Sequence, residues 1–308
     1  MTYSLENGLL DELIEKHRPL CQQGSLPSYI PALTNPQQHL AGISIIDIKG
    51  SRYNSGDYLL PFTIQSISKI ITLTMAILDQ GEDFVFSRVG AEPTEDKFNS
   101  ILPLEISSAY PPNPMINAGA IVVTSLINGK TSQEKMDRIL NFTRKLANNP
   151  EISVNEEVFI SERRTGNKNI SLAYYLKDAN VLLGEVEDVL DTYFRHCSIS
   201  LTASDLANIA LVYSQDGKSL TGEQLIPPMV CRQVRTIMAM SGFYDESGRF
   251  ARRVGIPAKS GVGGGILGVV PNRMGIGFYG PSLNTKGTSI VGFDVLEELI
   301  EKLDLSIY

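Results

Sequence analysis

Histidine and cysteine are scarce in this chain, with three of each among 308 residues, and neither kind is clustered. Cys21, Cys197 and Cys231 are widely spaced and form no CxxC pair, so neither a disulfide framework nor a structural zinc site is expected. His17, His39 and His196 fall in no pattern that marks a general base, which leaves a Ser-His-Asp triad without support. There is no basic surplus: 27 Lys+Arg against 34 Asp+Glu give a formal charge of −7, and nucleic acid is not an expected partner. Apolar runs stay short of the roughly 18 residues that cross a bilayer. Within Met1 to Leu20, Glu6, Asp11, Glu12 and Glu15 interrupt the stretch an export signal needs, so a cytoplasmic location is expected, away from any membrane.

Hydrophobic residues make up 43% and charged residues 20%, the balance of a globular protein with a sizeable core. At roughly 150 residues per domain the length suggests two lobes sharing one cleft. Leu5, Leu9, Leu10, Leu13 and Ile14 recur at helical spacing behind Ser4, a cap residue. Gly42 to Ile48 and Ser51 to Asp57, joined at Lys49-Gly50, read as a hairpin. A second hairpin is expected from Gly265 to Val270 and Met274 to Tyr279 around Pro271-Asn272-Arg273, followed by a helix over Val291 to Leu303. From about Gln65 to Met240 the pattern is almost entirely helical, with start signals at Thr131/Glu134, Ser153/Glu156 and Thr202/Asp205. Strands at both ends and helices between them predict an α+β architecture: 1–64 and 241–308 build one antiparallel sheet domain, and 65–240 form an inserted helical domain.

Residues 66 to 79 are apolar around most of a helical circumference, which places that helix in the core. Ser66 and Lys69 share a face at its start. A buried lysine loses its proton more readily and can then take one from a serine hydroxyl, while the helix N-terminus favours the negative charge that develops. The alternative is a capping serine and a lysine that reaches solvent. Lys259-Ser260-Gly261-Val262-Gly263-Gly264-Gly265 stands before the second hairpin, where small residues admit a close backbone or ligand and an edge N–H can serve an oxyanion; in isolation a flexible glycine loop is the better reading. Ser-x-x-Lys at a helix start, a helical insertion and then Lys-Ser/Thr-Gly is the chain order of serine β-lactamases and penicillin-binding proteins. Ser260 stands in place of threonine, and no literal Ser-Asp-Asn is present.

Further segments narrow the likeness: Ser28 to Pro31, Gln65 to Lys69, Asn113 to Ala120, Ser161-Glu162-Arg163, Asn169, Tyr193, Gly242-Phe243-Tyr244 and Ala258 to Gly264. In this order the chain resembles the serine-dependent glutaminases of the β-lactamase-like superfamily. The resemblance implies a β-lactamase/transpeptidase-like fold and hydrolysis of L-glutamine to L-glutamate and ammonia through a glutamyl-serine ester, with no metal or organic cofactor. It implies Ser66 as nucleophile and Lys69 as its activating neighbour, with Tyr244 relaying a proton; whether Lys69 or Tyr244 is the base stays open. The backbone N–H groups of Ser66 and Val262 match the oxyanion hole. Tyr29, Gln65, Asn117, Glu162, Asn169 and Tyr193 match the substrate-binding set, in which Glu162 suits the substrate ammonium and the amides and phenols suit its carboxylate. Arg163 to Lys168 reads as a polar loop beside them. A homodimer or homotetramer is implied as well. A β-lactam-interacting hydrolase of the same superfamily and a catalytically silent amino-acid-binding module are the other readings.

Overall fold

The computed structural model describes residues 5–28, 30–34, 36–106 and 109–308. Helix α1 (Asn7–His17) begins behind Glu6 and buries Leu9, Leu10, Leu13 and Ile14; Ser4 lies outside the described residues. Strands β1 (Gly42–Asp47) and β2 (Arg52–Gly56) form the expected hairpin, with Gly50 in the left-handed region at the turn. Then follow β3 (Phe62–Thr63), a 3-10 turn over Gln65–Ile67, α2 (Ser68–Gln80), α3 (Glu82–Phe86), α4 (Leu102–Ile106), α5 (Asn117–Leu126) and α6 (Ser132–Ala147). The chain continues through β4 (Ser153–Val154), α7 (Glu156–Thr165), α8 (Asn167–Asp178), α9 (Val186–Cys197), β5 (Ile199–Leu201), α10 (Ala203–Ser214), α11 (Pro228–Ser241) and α12 (Ser247–Arg253). It closes with β6 (Ala258–Ser260), β7 (Gly265–Val270), β8 (Met274–Tyr279) and α13 (Ile290–Lys302).

Both chain ends meet in one five-stranded antiparallel sheet of order β2-β1-β8-β7-β6. Its side chains alternate between two layers, as a pleated strand requires. Ile43, Ile45, Ile266 and Phe278 join α1 and α13 in one core, whereas Ile46, Leu267 and Val269 face the other side. Helix α10 lies flat on that second face because β8 offers it glycines: a Cβ at Gly275 would stand 2.2 Å from the Leu211 nitrogen, and one at Gly277 2.0 Å from the Ala203 carbonyl. Residues 203–214 thus cover the sheet although they fall within 65–240, and the division into 1–64 with 241–308 and 65–240 is retained as a proposal.

The middle of the chain is less uniformly helical than its periodicity suggests. Strands β3, β5 and β4 form a second, three-stranded sheet, with Phe62 opposite Leu201 and Val154 opposite Ile199. Pieces of two or three residues are too short to display an alternation, so only long-range pairing defines them. Ser153 consequently belongs to a strand, and the cap of α7 is Asn155, whose side chain accepts the Val158 N–H. Thr131 and Thr202 do cap α6 and α10, the latter in a reciprocal capping box with Asp205. Arg163 to Lys168 is a helix junction at Gly166, not a loop, since α7 runs to Thr165 and α8 begins at Asn167. Helices α2 and α5 are buried over Ser68 to Ile77 and along the whole of α5, and they pack together at the centre of the insertion.

Candidate active site

Strand β3 delivers the chain to Ser66, and two features fix how it arrives. The Ile64 N–H donates to the Ile199 carbonyl at 2.8 Å, which ties the end of β3 to the small sheet. Gln65 is then buried with φ of 49°, a left-handed conformation that is uncommon outside glycine. The glycine run after β6 presses on this same backbone: a Cβ at Gly263 would sit 2.2 Å from the Thr63 carbonyl, and one at Gly261 2.7 Å from that of Ile64. Only glycine allows that approach, and it is what sets Val262 beside Ser66 on one cavity wall.

Lys69, one turn after Ser66, is 1% exposed and points inward. Its Nζ donates to the Met115 carbonyl at 2.8 Å and to Asn117 Oδ1 at 2.7 Å. Burial lowers its pKa to about 7, with Cys197 and Glu162 opposing the shift. A neutral amine is therefore available near neutral pH, its third position holding a lone pair. Lys259 on β6 is buried as well, donating to the Gly242 and Ser260 carbonyls at 2.9 and 2.6 Å. Burial, and then the charge of Lys69, hold its pKa well below the usual lysine value.

The Tyr244 ring lies between these amines, 4.0 Å from Lys259 Nζ and 5.3 Å from Lys69 Nζ. Tyr244 has φ of 54°, and its hydroxyl is buried beside Ser66. Burial raises its pKa, and the Ser66 hydroxyl beside it opposes the rise. Glu162 on α7 is 7% exposed, and its Oε2 lacks a hydrogen-bond partner among the described residues. Burial raises its carboxyl to about 8, while the Gln65 amide and Lys69 pull the other way.

A cavity of about 370 Å³ opens between Ser66 and these groups. Gln65, Ser66, Asn117, Glu162, Asn169, Tyr193 and Val262 all line it. Asn117 links Lys69 to Asn169: its Oδ1 accepts from Lys69 and its Nδ2 donates to Asn169 Oδ1 at 2.9 Å. Lys69 and Tyr244 stand behind the lining, and Tyr29 lies outside the described residues. Two neighbours carry no assignment from sequence. Lys259 was visible in the Lys-Ser-Gly triplet, but nothing local shows that it reaches Tyr244. Phe98, whose ring tilts against that of Tyr244 at 5.1 Å and whose carbonyl accepts the Asn117 N–H, sits in a stretch without periodicity or motif. Among the described residues no group of three or more His, Cys, Asp or Glu side chains could hold a metal ion.

A family model described as Glutaminase matches residues 24–308. A glutaminase of Natranaerobius thermophilus is 65% identical over 308 residues, all of both chains, and one of Clostridium botulinum is 53% identical over 304 residues, 98% of this chain and 100% of its own. Among solved structures, the Bacillus subtilis glutaminase in covalent complex with 5-oxo-L-norleucine, formed by its reaction with 6-diazo-5-oxo-L-norleucine, superposes with a TM-score of 0.90 at 36% identity. That match covers 98% of this chain and 99% of the other.

Proposed function

Because the chain belongs to the glutaminase family, has its β-lactamase-like fold and hydrolyses glutamine, we propose that Ser66 is the nucleophile, Lys69 its base and Tyr244 the proton relay. The observation that carries this reading is the buried Lys69 amine, held by Met115 and Asn117 one turn from a serine on the cavity wall. Lys69 suits the base because burial brings it near neutral pH, whereas burial keeps Tyr244 protonated and fit to pass a proton on.

In the proposed sequence Ser66 Oγ bonds to the side-chain carbonyl carbon of glutamine as its proton moves to Lys69 Nζ. The N–H groups of Ser66 and Val262 receive the oxyanion. When the C–N bond breaks, the proton reaches the departing nitrogen through the Tyr244 hydroxyl, and ammonia leaves. Water then attacks the ester, gives its proton to Lys69 and releases glutamate, and Ser66 regains a proton. The unpartnered Glu162 Oε2 fits the substrate ammonium. Asn169, whose Oδ1 is already engaged by Asn117, has its NH₂ group left for the carboxylate, together with Tyr193 and, by resemblance, Tyr29. Gln65 supports the Glu162 end. The reading includes a cytoplasmic location, in keeping with three free cysteines, and, by resemblance, a homodimer or homotetramer.

Ammonia release from glutamine is the direct assay. Ser66→Ala should abolish it in a folded protein. Mass spectrometry after 6-diazo-5-oxo-L-norleucine should find the adduct on Ser66, and an adduct on any other side chain overturns the assignment.

A further inference from the structure

Directly behind Ser66 and Lys69 lies a buried polar chain that the reaction as described does not use. Ser68 Oγ donates to the Gln65 carbonyl at 2.7 Å and stands 2.8 Å from His196 Nδ1. On the far side of the ring, His196 Nε2 is 3.1 Å from Thr124 Oγ1, which donates to the Ala120 carbonyl at 2.8 Å. Ser68, Thr124 and His196 are completely buried. The imidazole thus joins three helices, α2, α5 and α9, and Tyr193 packs edge-on against it at 5.2 Å.

Counting protons narrows which way the chain can run. Each of the five contacts, the 3.9 Å one between Ser68 Oγ and Cys197 Sγ included, needs one hydrogen. The two hydroxyls, the Cys197 thiol and a neutral imidazole supply one each, so one contact is unmade. His196 is neutral, because burial and then the nearby Lys69 lower its pKa to about 3. With the ring proton on Nδ1 the unmade contact is the one to Thr124, at 3.1 Å the longest of those the imidazole and the two hydroxyls make among oxygen and nitrogen atoms. In that tautomer His196 donates to Ser68, and Ser68 donates its own proton to the Gln65 carbonyl.

That carbonyl belongs to the same peptide group as the Ser66 N–H. A peptide is a plane, so whatever fixes and polarises its C=O fixes and polarises its N–H. We propose that His196 is a positioning residue that, through Ser68, holds the Gln65–Ser66 peptide so that the Ser66 N–H meets the oxyanion. The left-handed Gln65 is the hinge this clamp holds in place. The inference rests on the oxyanion role given above to the Ser66 N–H.

Variants of His196 separate this role from general support. His196→Leu removes the donor, and because it acts one link away from an oxyanion contact it should lower kcat about tenfold with KM within about twofold. His196→Asn can return an N–H at the Nδ1 position and should restore most of kcat. His196→Gln reaches instead toward Thr124 and should not. A spectroscopic readout accompanies the kinetics: in the 6-diazo-5-oxo-L-norleucine adduct, carbon-13 labelled at the ketone, the carbonyl stretch should move to higher frequency in His196→Leu and return in His196→Asn.

Equal rates for the Asn and Gln variants, or an unmoved carbonyl band, overturn the inference. If His196→Leu does not fold, Ser68→Ala cuts the same chain at its next link and must show both the kcat loss and the band shift. Ser66→Ala keeps the two readings apart. Turnover by Ser66→Ala removes the nucleophile assignment itself, whereas an inactive Ser66→Ala beside a fully active His196→Leu removes only the role of His196.

Discussion

Helices α2 and α6 pack against each other and obey opposite rules. In α6, Thr131 accepts the Glu134 N–H, Asn148 closes the end in a left-handed conformation, and Met136, Ile139 and Leu146 form a buried stripe below a charged outer face. Helix α2 has no side-chain cap, follows a strained Gln65 and is buried from Ser68 to Ile77, enclosing a lysine, a serine and two threonines. Every rule that makes α6 legible serves stability. The departures in α2 include its first turn, where the proposed mechanism calls for a dehydrated amine at Lys69 and a peptide at Ser66 that faces the substrate. The contrast teaches that local inconsistency in this molecule marks chemistry.

The severest way to test that contrast is to restore the rule. Lys69→Met replaces the buried amine with an apolar chain of similar length, and kcat for ammonia release should fall about 10³-fold. Circular dichroism should still report a folded protein. Substantial turnover in this variant would leave the buried amine without a catalytic reason.

Glu162→Gln comes next. The side chain keeps its size but loses the charge proposed to face the substrate ammonium, so KM for glutamine should rise about 100-fold with kcat little changed. Its pH profile sharpens the comparison. The working forms are a neutral amine at Lys69, near 7, and a carboxylate at Glu162, near 8, and lowering the pH protonates both. The kcat/KM of the wild type should therefore drop with falling pH in a step steeper than one proton, with apparent values belonging to the pair. In Glu162→Gln a single-proton step should remain, and an unchanged slope would detach Glu162 from the titration.

The same contrast explains what could be read before any coordinates. Thr131, Thr202 and the two hairpins declare themselves because cap, turn and alternation each act within a few residues. Ser66 and Lys69 are legible for the same reason, being neighbours on one helical turn. The partners of Lys69 come from Met115 and Asn117, its electrostatic neighbours from Glu162 and Lys259, and the wall from Phe98, and no local pattern joins such distant stretches. Only the family resemblance supplied Asn117, Glu162, Asn169 and Tyr193. It assigned nothing to Lys259 or His196, because a lysine in a triplet and a lone histidine show no partner until the chain is folded. The Ser153/Glu156 signal failed through competition: pairing of Ser153 and Val154 with β5 claimed the residues a cap would have used.

Smaller effects belong to α6. Arg138 makes a two-point contact with Asp79 at the end of α2, both bonds 2.7 Å, and also donates to the Asn128 carbonyl at 2.7 Å. Arg138→Ala should lower stability by about 1.5 kcal/mol in denaturant titration, a value discounted for the exposure of the arginine. Burial pushes the Asp79 carboxyl up, but Arg138 and the Asn128 N–H together hold it below the usual range. The pair's contribution is thus present above the ordinary aspartate pKa and lost as pH falls through the lowered one, so the difference between wild type and variant should vanish in acid. An acid-insensitive difference would assign the effect to lost packing.

The mildest change is Thr131→Ala. Its side chain holds only the Glu134 N–H, at 3.2 Å, on an exposed helix start, so about 0.5–1 kcal/mol should be lost. Water can replace the missing acceptor there, which is why the loss stays small. Kinetic constants should not move, since α6 contributes no residue to the cavity lining. Thr131→Ser keeps the hydroxyl and should keep the stability. Should Thr131→Ala change kcat, α6 would be coupled to the first turn of α2 through their shared interface, and stability and chemistry would no longer divide between the two helices.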